Sequence, residues 1–487
     1  MSRPANLESQ WALGSRGSSG PRADHSLETR SLELAWFDPL PVTRVFDAGG
    51  RSIGIFVGHP VDYRAGEVVR SECHLAEVLL DNGDIVGFIE RNIYKHSGSW
   101  LFVLDCEAGR RLYLDADGTL SAVWDPATGV AAATAAMLLD DKAYVDRFER
   151  SLYRHLDVVH DGWFPAGLTA HRGIERLLVN HYLDLDTATA HRHWPVQDIV
   201  TTDNPSEACL SIADVARKTI GALRKKGDIA VTLTSGNETR LLLACCRDIA
   251  QELEFVTVSG PETRLDCFTA GKLAESEGLR HRLLPVLYAD AAGQELWHAR
   301  TGHCMGGSNM LTHPSIGPMA DLEYFVVGLG GEIGRGFLWR AKDTARTKLD
   351  AETIERRLGM RPHTRVREAI GEWLVGVQGF ESFFTQIDLA YLELRMGCWG
   401  YALSYVFPEV VHISPLISRE SYSLMLSLPP QWRRSNMLIV HTIERLWPEL
   451  LGHPINRYGD FRDYARKIRR VIMEPKLVTK KLRKMMG

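Results

Sequence analysis

The chain is 487 residues long with 45% hydrophobic and 24% charged residues, a composition of soluble globular proteins and enough length for about two to four domains. Its 57 Lys and Arg against 61 Asp and Glu give a formal charge of −4, which supplies no electrostatic reason to expect nucleic acid or an anionic membrane as partner. Apolar runs are strand length, well short of the roughly 20 residues that span a bilayer, and the polar start lacks the apolar core of a secretory signal, so a cytoplasmic protein is expected. The eight cysteines form no CxxC pair and the histidines no HExxH, which argues for reduced, buried thiols and against structural zinc or a metalloprotease.

Residues 1–30 are rich in Ser, Gly, Arg and Pro and read as a flexible leader. From 32 to 139 short apolar or alternating runs, RSIGIFVGH, GDIVGFIE and SWLFVLDCEAGRRLYLDADGTLSAVWD, are separated by Asp-Asn-Gly, Glu-Ala-Gly-Arg and Ala-Asp-Gly, the pattern of strands joined by hairpins. This predicts an antiparallel β-rich domain, with helices at AATAAMLLDD and over 142–159, a basic helix-turn at 173–178 and a closing strand at 181–186.

Near Pro205 the period changes. Leu210, Ile212, Val215, Ile220 and Leu223 mark one helix face over 206–225. Predicted strands at 229–234, 255–258, 282–286 and 324–328 then alternate with helices at 238–252 and 266–277, which argues for a parallel sheet covered by helices on both faces. Ligands bind such sheets beyond the carboxyl ends of the strands. Helices are predicted at 351–358, 366–377, 380–396, 421–428 and 437–446, and the basic amphipathic tail KIRRVIMEPKLVTKKLRKMMG reads as a solvated helix face.

Within the sheet, IAVTLTSGNETRLLLA at 229–244 is an apolar strand that turns through Ser-Gly straight into an amphipathic helix. Unpaired N–H groups and the helix dipole make such a junction receptive to phosphate, although an ordinary strand-to-helix connection has the same pattern. Neither a Walker loop nor GxGxxG is present. A second glycine-rich turn, GLGGEIGRGF at 328–337, follows a later strand and again carries a carboxylate.

Two such loops in one parallel-sheet domain resemble the ATP-pyrophosphatase site of the asparagine synthetase family, whose first loop reads SGGxDS and whose later segment reads SGxGxDE…GGY. SGNETR at 235–240 stands in the first place and GGEIGRGF in the second. FPAGLTAHRGIERLLVNHYLDLD, the stretch 261–284 with Asp266, ISPLISRESYSLMLSLP and WPELLGHPIN follow in the family's order, so the resemblance covers most of the chain.

The resemblance implies an α/β protein: a leader over 1–30, an Ntn-hydrolase-like β-rich sandwich over 31–200, and over 201–487 a parallel-sheet α/β ATP-pyrophosphatase domain of the adenine nucleotide α-hydrolase-like class. It implies ATP and Mg2+ as cofactors, a small-molecule carboxylate and an amine or ammonia as partners, no nucleic acid and no membrane, and it admits a homodimer. A carboxylate would be activated as an acyl-adenylate and released from AMP by the amine. Leu233, Ser235, Gly236, Asn237, Glu238, Thr239, Ser259, Gly328, Gly330 and Gly331 would line the nucleotide, Glu238 and Glu332 would hold magnesium, and Arg240 and Arg335 would act on phosphate or transition-state charge.

Several departures bear on the chemistry. Glutamates replace both family aspartates, and Asn237 puts a side chain where the family has a second glycine. Ser2, not cysteine, follows Met1, so ammonia release from glutamine is not expected. A late family lysine has no clear counterpart among Arg457, Tyr458 and Lys467. The two glutamates are still carboxylates and favour a retained, modified nucleotide site, whereas Asn237, the missing cysteine and the missing lysine speak for a catalytically inactive scaffold that binds a nucleotide, or nothing, and acts through partners. His303, Cys304 and Ser308 in GHCMGGSNM read first as a structural turn, and Asp388 and Arg395 as a buried ion pair or helix–helix contact.

Overall fold

Alternating side chains in the first part of the chain build two antiparallel-rich sheets that face each other. The computed structural model describes residues 7–17, 23–407 and 409–464. One sheet has six strands, with Trp11–Ser15 between Val130–Ala132 and Leu32–Trp36. The other has eight strands on its main path and in branch together, centred on Ser52–Asp62 paired with Ser97–Cys106 from Gly54↔Leu104 to Val61↔Ser97. Trp11, Leu13, Leu32 and Leu34 of the first meet Ile55, Val57, Leu101 and Val103 of the second in one buried core, each worth about 1.5–3 kcal/mol of burial. Helix Ile85–Asn92 covers the outer face of the second sheet with Phe88 and Ile89. Ala135–Leu138 and Tyr144 cover the first. The result is two sheets between helical layers.

This corrects five expectations. Residues 11–15 are an inner strand of the sandwich and not part of a leader, because Trp11 and Leu13 both point into the core and are fully buried. GDIVGFIE is a helix: Asp84 caps it by accepting from Gly87 N–H, and its apolar residues pack on one face. The long helix expected over 142–159 is broken into Asp141–Asp146 and Arg150–His155, AATAAMLLDD holds only the four-residue helix Ala135–Leu138, and the helix-turn at 173–178 is the short strand Glu175–Arg176.

The second part is a parallel sheet: β1 Ile229–Thr232, β2 Glu254–Ser259, β3 Arg280–Pro285, β4 Tyr324–Val326 and β5 Val411–Ile413, in spatial order 3-2-1-4-5. All four pairings are parallel. β5 is three residues long, too brief for a sequence signal. Helix α1, Pro205–Lys226, is capped by Asn204 and lies against the sandwich, where Thr219 hydroxyl meets Ser97 at 2.8 Å. Helix α2, Asn237–Cys245, follows β1, and α3, Arg264–Glu277, follows β2. The predicted helix at 238–252 ends in a 3-10 turn, Arg247–Glu252, and that at 380–396 becomes π-helical over Leu392–Met396. Helix α4, Arg419–Ser427, packs beneath the turn after β4. Among the described residues no helix is long and apolar enough to cross a membrane. The basic tail at 467–487, with Lys467, lies outside the described residues.

Candidate functional site

Strand order reverses at β1: β2 and β3 lie on one side of it and β4 on the other. The crevice beyond the ends of β1 and β4 is therefore the switch point where open α/β sheets receive ligands. Both glycine-rich turns open there, one after β1 and one after β4.

Their contact is set by missing side chains. A Cβ on Gly331 would stand 2.8 Å from Glu238 Cγ, and one on Gly328 3.1 Å from Glu238 Cβ and from Thr239 N. Gly330 adopts φ +86°, a left-handed conformation natural to glycine, and starts the 3-10 turn Gly331–Arg335. That turn carries Glu332 and Arg335 to Glu238, whose Oε1 accepts from Arg335 Nε at 2.9 Å. Burial first, and then the charge of Glu238, pushes the Glu332 carboxyl up to about 7. Its Oε2 is buried without a hydrogen-bond partner. Two carboxylates and one guanidinium thus share a largely desolvated space that is one positive charge short of neutrality when both acids are ionised.

The first loop is more occupied than its sequence suggests. Ser235 N–H and hydroxyl both donate to Asp266 Oδ1, at 2.9 and 2.7 Å. Gly236 N–H donates to the Thr234 hydroxyl, which also meets Thr239 Oγ1 at 2.8 Å. Asn237 accepts from Asn436 Nδ2 at 2.9 Å, so its amide is tied to the helix Met437–Leu446. Asn456 N–H holds the Ser235 carbonyl. Gly236 is the N-cap of α2, and no side chain caps that end, which leaves the first-turn amides as the dipole-favoured anion position.

The remaining expected residues divide. Leu233 is fully buried and bonded to β2 through its backbone, donating to Val256 O and accepting from the Thr257 hydroxyl. Ser259 is half-buried at the end of β2, next to the first loop's strand. Arg240, expected to act on phosphate, is wholly buried, with Nη1 donating to Leu450 and His453 carbonyls at 2.9 and 3.0 Å. Desolvation lowers its pKa to about 10. A helix turn places residue 240 on the inner side of α2 while Glu238 faces the crevice.

Asp388 is an ion-pair residue, though with Arg433 at 2.7 Å and not with Arg395, which stacks on Trp163 and Phe337. His303 and Cys304 pack against the sandwich, where Phe164 N–H donates to Cys304 O. All eight cysteines are free thiols. Sequence reasoning missed Asp117, Tyr422, Asn436 and Asn456, which reach the loops from distant segments and have no local signature.

Magnesium prefers hard oxygen ligands and keeps several from water or phosphate. Glu238 and Glu332 fit that donor set, and the orphaned Glu332 Oε2 is the kind of buried acceptor a cation satisfies. Among the described residues no group of three or more His, Cys, Asp or Glu side chains is placed to hold a metal, so an ion here needs oxygens from a bound ligand as well. The sequence matches no protein-family model and no curated protein.

Proposed function

We propose that the chain is an ATP-dependent, AMP-forming amide synthetase with an asparagine-synthetase-like arrangement: an ATP-pyrophosphatase part and a noncatalytic Ntn-hydrolase-like sandwich. The observation that carries the reading is the meeting of Glu238 and Glu332, delivered by two glycine-rich loops at the switch point of a parallel sheet, with one Glu332 oxygen left unpartnered. Carboxylates are poor electrophiles, and MgATP supplies the activation by turning the acid into a mixed anhydride with AMP. The chain's own tasks are positioning and charge neutralisation. Glu238 and Glu332 would hold magnesium, and the first-turn amides of α2 would take phosphate oxygens. Arg335, already at the Glu238 carboxylate, would balance the phosphate charge. Ser259 would border the nucleoside.

A small-molecule carboxylate and an amine or free ammonia are the substrates of this reading, in a cytoplasmic setting. Ammonia release from glutamine within the sandwich is not part of it. Cys73 there is buried, and burial pushes its thiol up to about 11, the opposite of an activated nucleophile.

One observation favours a second reading, a nucleotide-sensing or inert scaffold. The Asp266 carboxylate occupies the Ser235 N–H and hydroxyl, donors that a phosphate would use. Calorimetry with MgATP and a pyrophosphate-release assay across candidate acids and amines separate the two. The synthetase reading expects MgATP binding and acid-dependent pyrophosphate release, both lost in Glu238→Gln and Glu332→Gln. Absence of MgATP binding by the wild type refutes it, and binding without release for any acid favours the scaffold.

A further inference from the structure

Helix α4 is held by the sandwich and touches the second glycine-rich loop. Its first turn is clamped twice. Arg419 donates to Glu90 and Asn180 at 3.1 and 2.6 Å and lies over the Tyr94 and Trp194 rings at 4.2 and 4.1 Å. Glu420 accepts from the Tyr63 hydroxyl and from Arg64 Nη2. One turn on, the fully buried Tyr422 donates its hydroxyl to Asp117 Oδ1 at 3.1 Å.

Asp117 is itself fixed. Asp115 accepts from Trp100, Asp117 and Thr119 N–H groups at 3.1, 2.9 and 3.2 Å, which pins the turn that carries it, and Asp117 is 0% exposed. The fit of α4 to the loop is close, and the Tyr422 hydroxyl takes part in both contacts. A Cβ at Gly330 would be 2.9 Å from the Tyr422 hydroxyl, one at Gly331 3.2 Å from Leu416 just before the helix, and one at Gly334 3.4 Å from Met425. The loop that carries Glu332 therefore rests on a helix whose position is dictated by the sandwich.

We propose that the sandwich is a positioning element for the second loop, with Asp117 and Tyr422 as the joint that sets Glu332 opposite Glu238. Its value to the metal depends on the nucleotide reading above, whereas the mechanical claim does not. The sandwich is thereby given a role in the site without any nucleophile of its own. Asp117 and Tyr422 are positioning residues: they act on Glu332 through Gly330 and the 3-10 turn.

The test uses the full-length protein and two near-isosteric variants, Asp117→Asn and Tyr422→Phe, each checked for an unchanged circular dichroism spectrum. Hydrogen exchange without ligand reads the joint directly. Amides of 328–336 should exchange roughly tenfold faster in either variant, the effect of losing one hydrogen bond, while those of 233–240 stay at the wild-type rate. Equal rates in both segments, or equal acceleration of both, overturn the inference. With ATP present, Mn2+ titrated by electron paramagnetic resonance should bind roughly tenfold more weakly to the variants, while ATP in EDTA binds unchanged. If exchange changes as expected but the wild type binds neither ATP nor Mn2+, the joint stands and the nucleotide reading has failed.

Discussion

Replacing Glu332 by glutamine should stabilise the ligand-free protein in alkaline solution and leave it nearly unchanged in acid. Desolvation, and then Glu238, raise the Glu332 carboxyl from its ordinary 4.5 to about 7. The folded chain therefore keeps a proton that the unfolded chain has released between those values. A group raised in this way stabilises fully below about 4.5, and the contribution drains away as pH rises to about 7. The displacement amounts to at most about 3 kcal/mol. Glutamine fills the same space without ionising, so this dependence vanishes in the variant. Scanning calorimetry in EDTA at pH 5 and pH 8.5 gives the difference. The variant should melt within about a degree of wild type at pH 5 and a few degrees above it at pH 8.5. A gap that does not widen with pH, or that has the opposite sign in alkali, refutes the claim that Glu332 is a desolvated member of a carboxylate pair.

Arg240→Met should lower stability by about 3 kcal/mol through loss of two carbonyl contacts and leave MgATP affinity unaltered, as thermal scans and calorimetry would read; lost affinity in a fully stable variant would restore a phosphate role. Asp266→Asn should tighten ATP binding on the order of tenfold by removing a like charge from the first loop, and unchanged or weaker binding by calorimetry would show that the carboxylate helps. Trp11→Ala should cost about 3–5 kcal/mol, because Trp11 is fully buried between the sheets. A small loss in chemical denaturation would put residues 11–15 outside the core. Asp388→Asn should destabilise by about 3–5 kcal/mol by leaving Arg433 buried and unpaired, again visible in denaturation midpoints.

Elements with a sustained period were legible. The helix face from Leu210 to Leu223 gave α1 to within a residue at each end, and Met437–Leu446 matched its prediction. Four of the five parallel strands were visible because buried strands read as apolar runs bounded by turns. GDIVGFIE failed because a short apolar run is ambiguous and the deciding signal was the single cap Asp84. The N-terminal strand failed for a different reason: composition averaged over thirty residues hid the alternation of Trp11 and Leu13.

Sequence alone determined which residues arrive in the crevice through local rules. Small residues at the ends of β1 and β4 and a carboxylate in each turn are properties of neighbouring positions, and they fix Glu238 and Glu332 as candidates. Tertiary structure decided what surrounds them. It turned Arg240 inward onto the carbonyls of Leu450 and His453, set Asp266 on Ser235, tied Asn237 to Asn436, and brought Asp117 across the chain to Tyr422. Those contacts join residues far apart in sequence, and their partners are selected by packing geometry, which no local periodicity encodes.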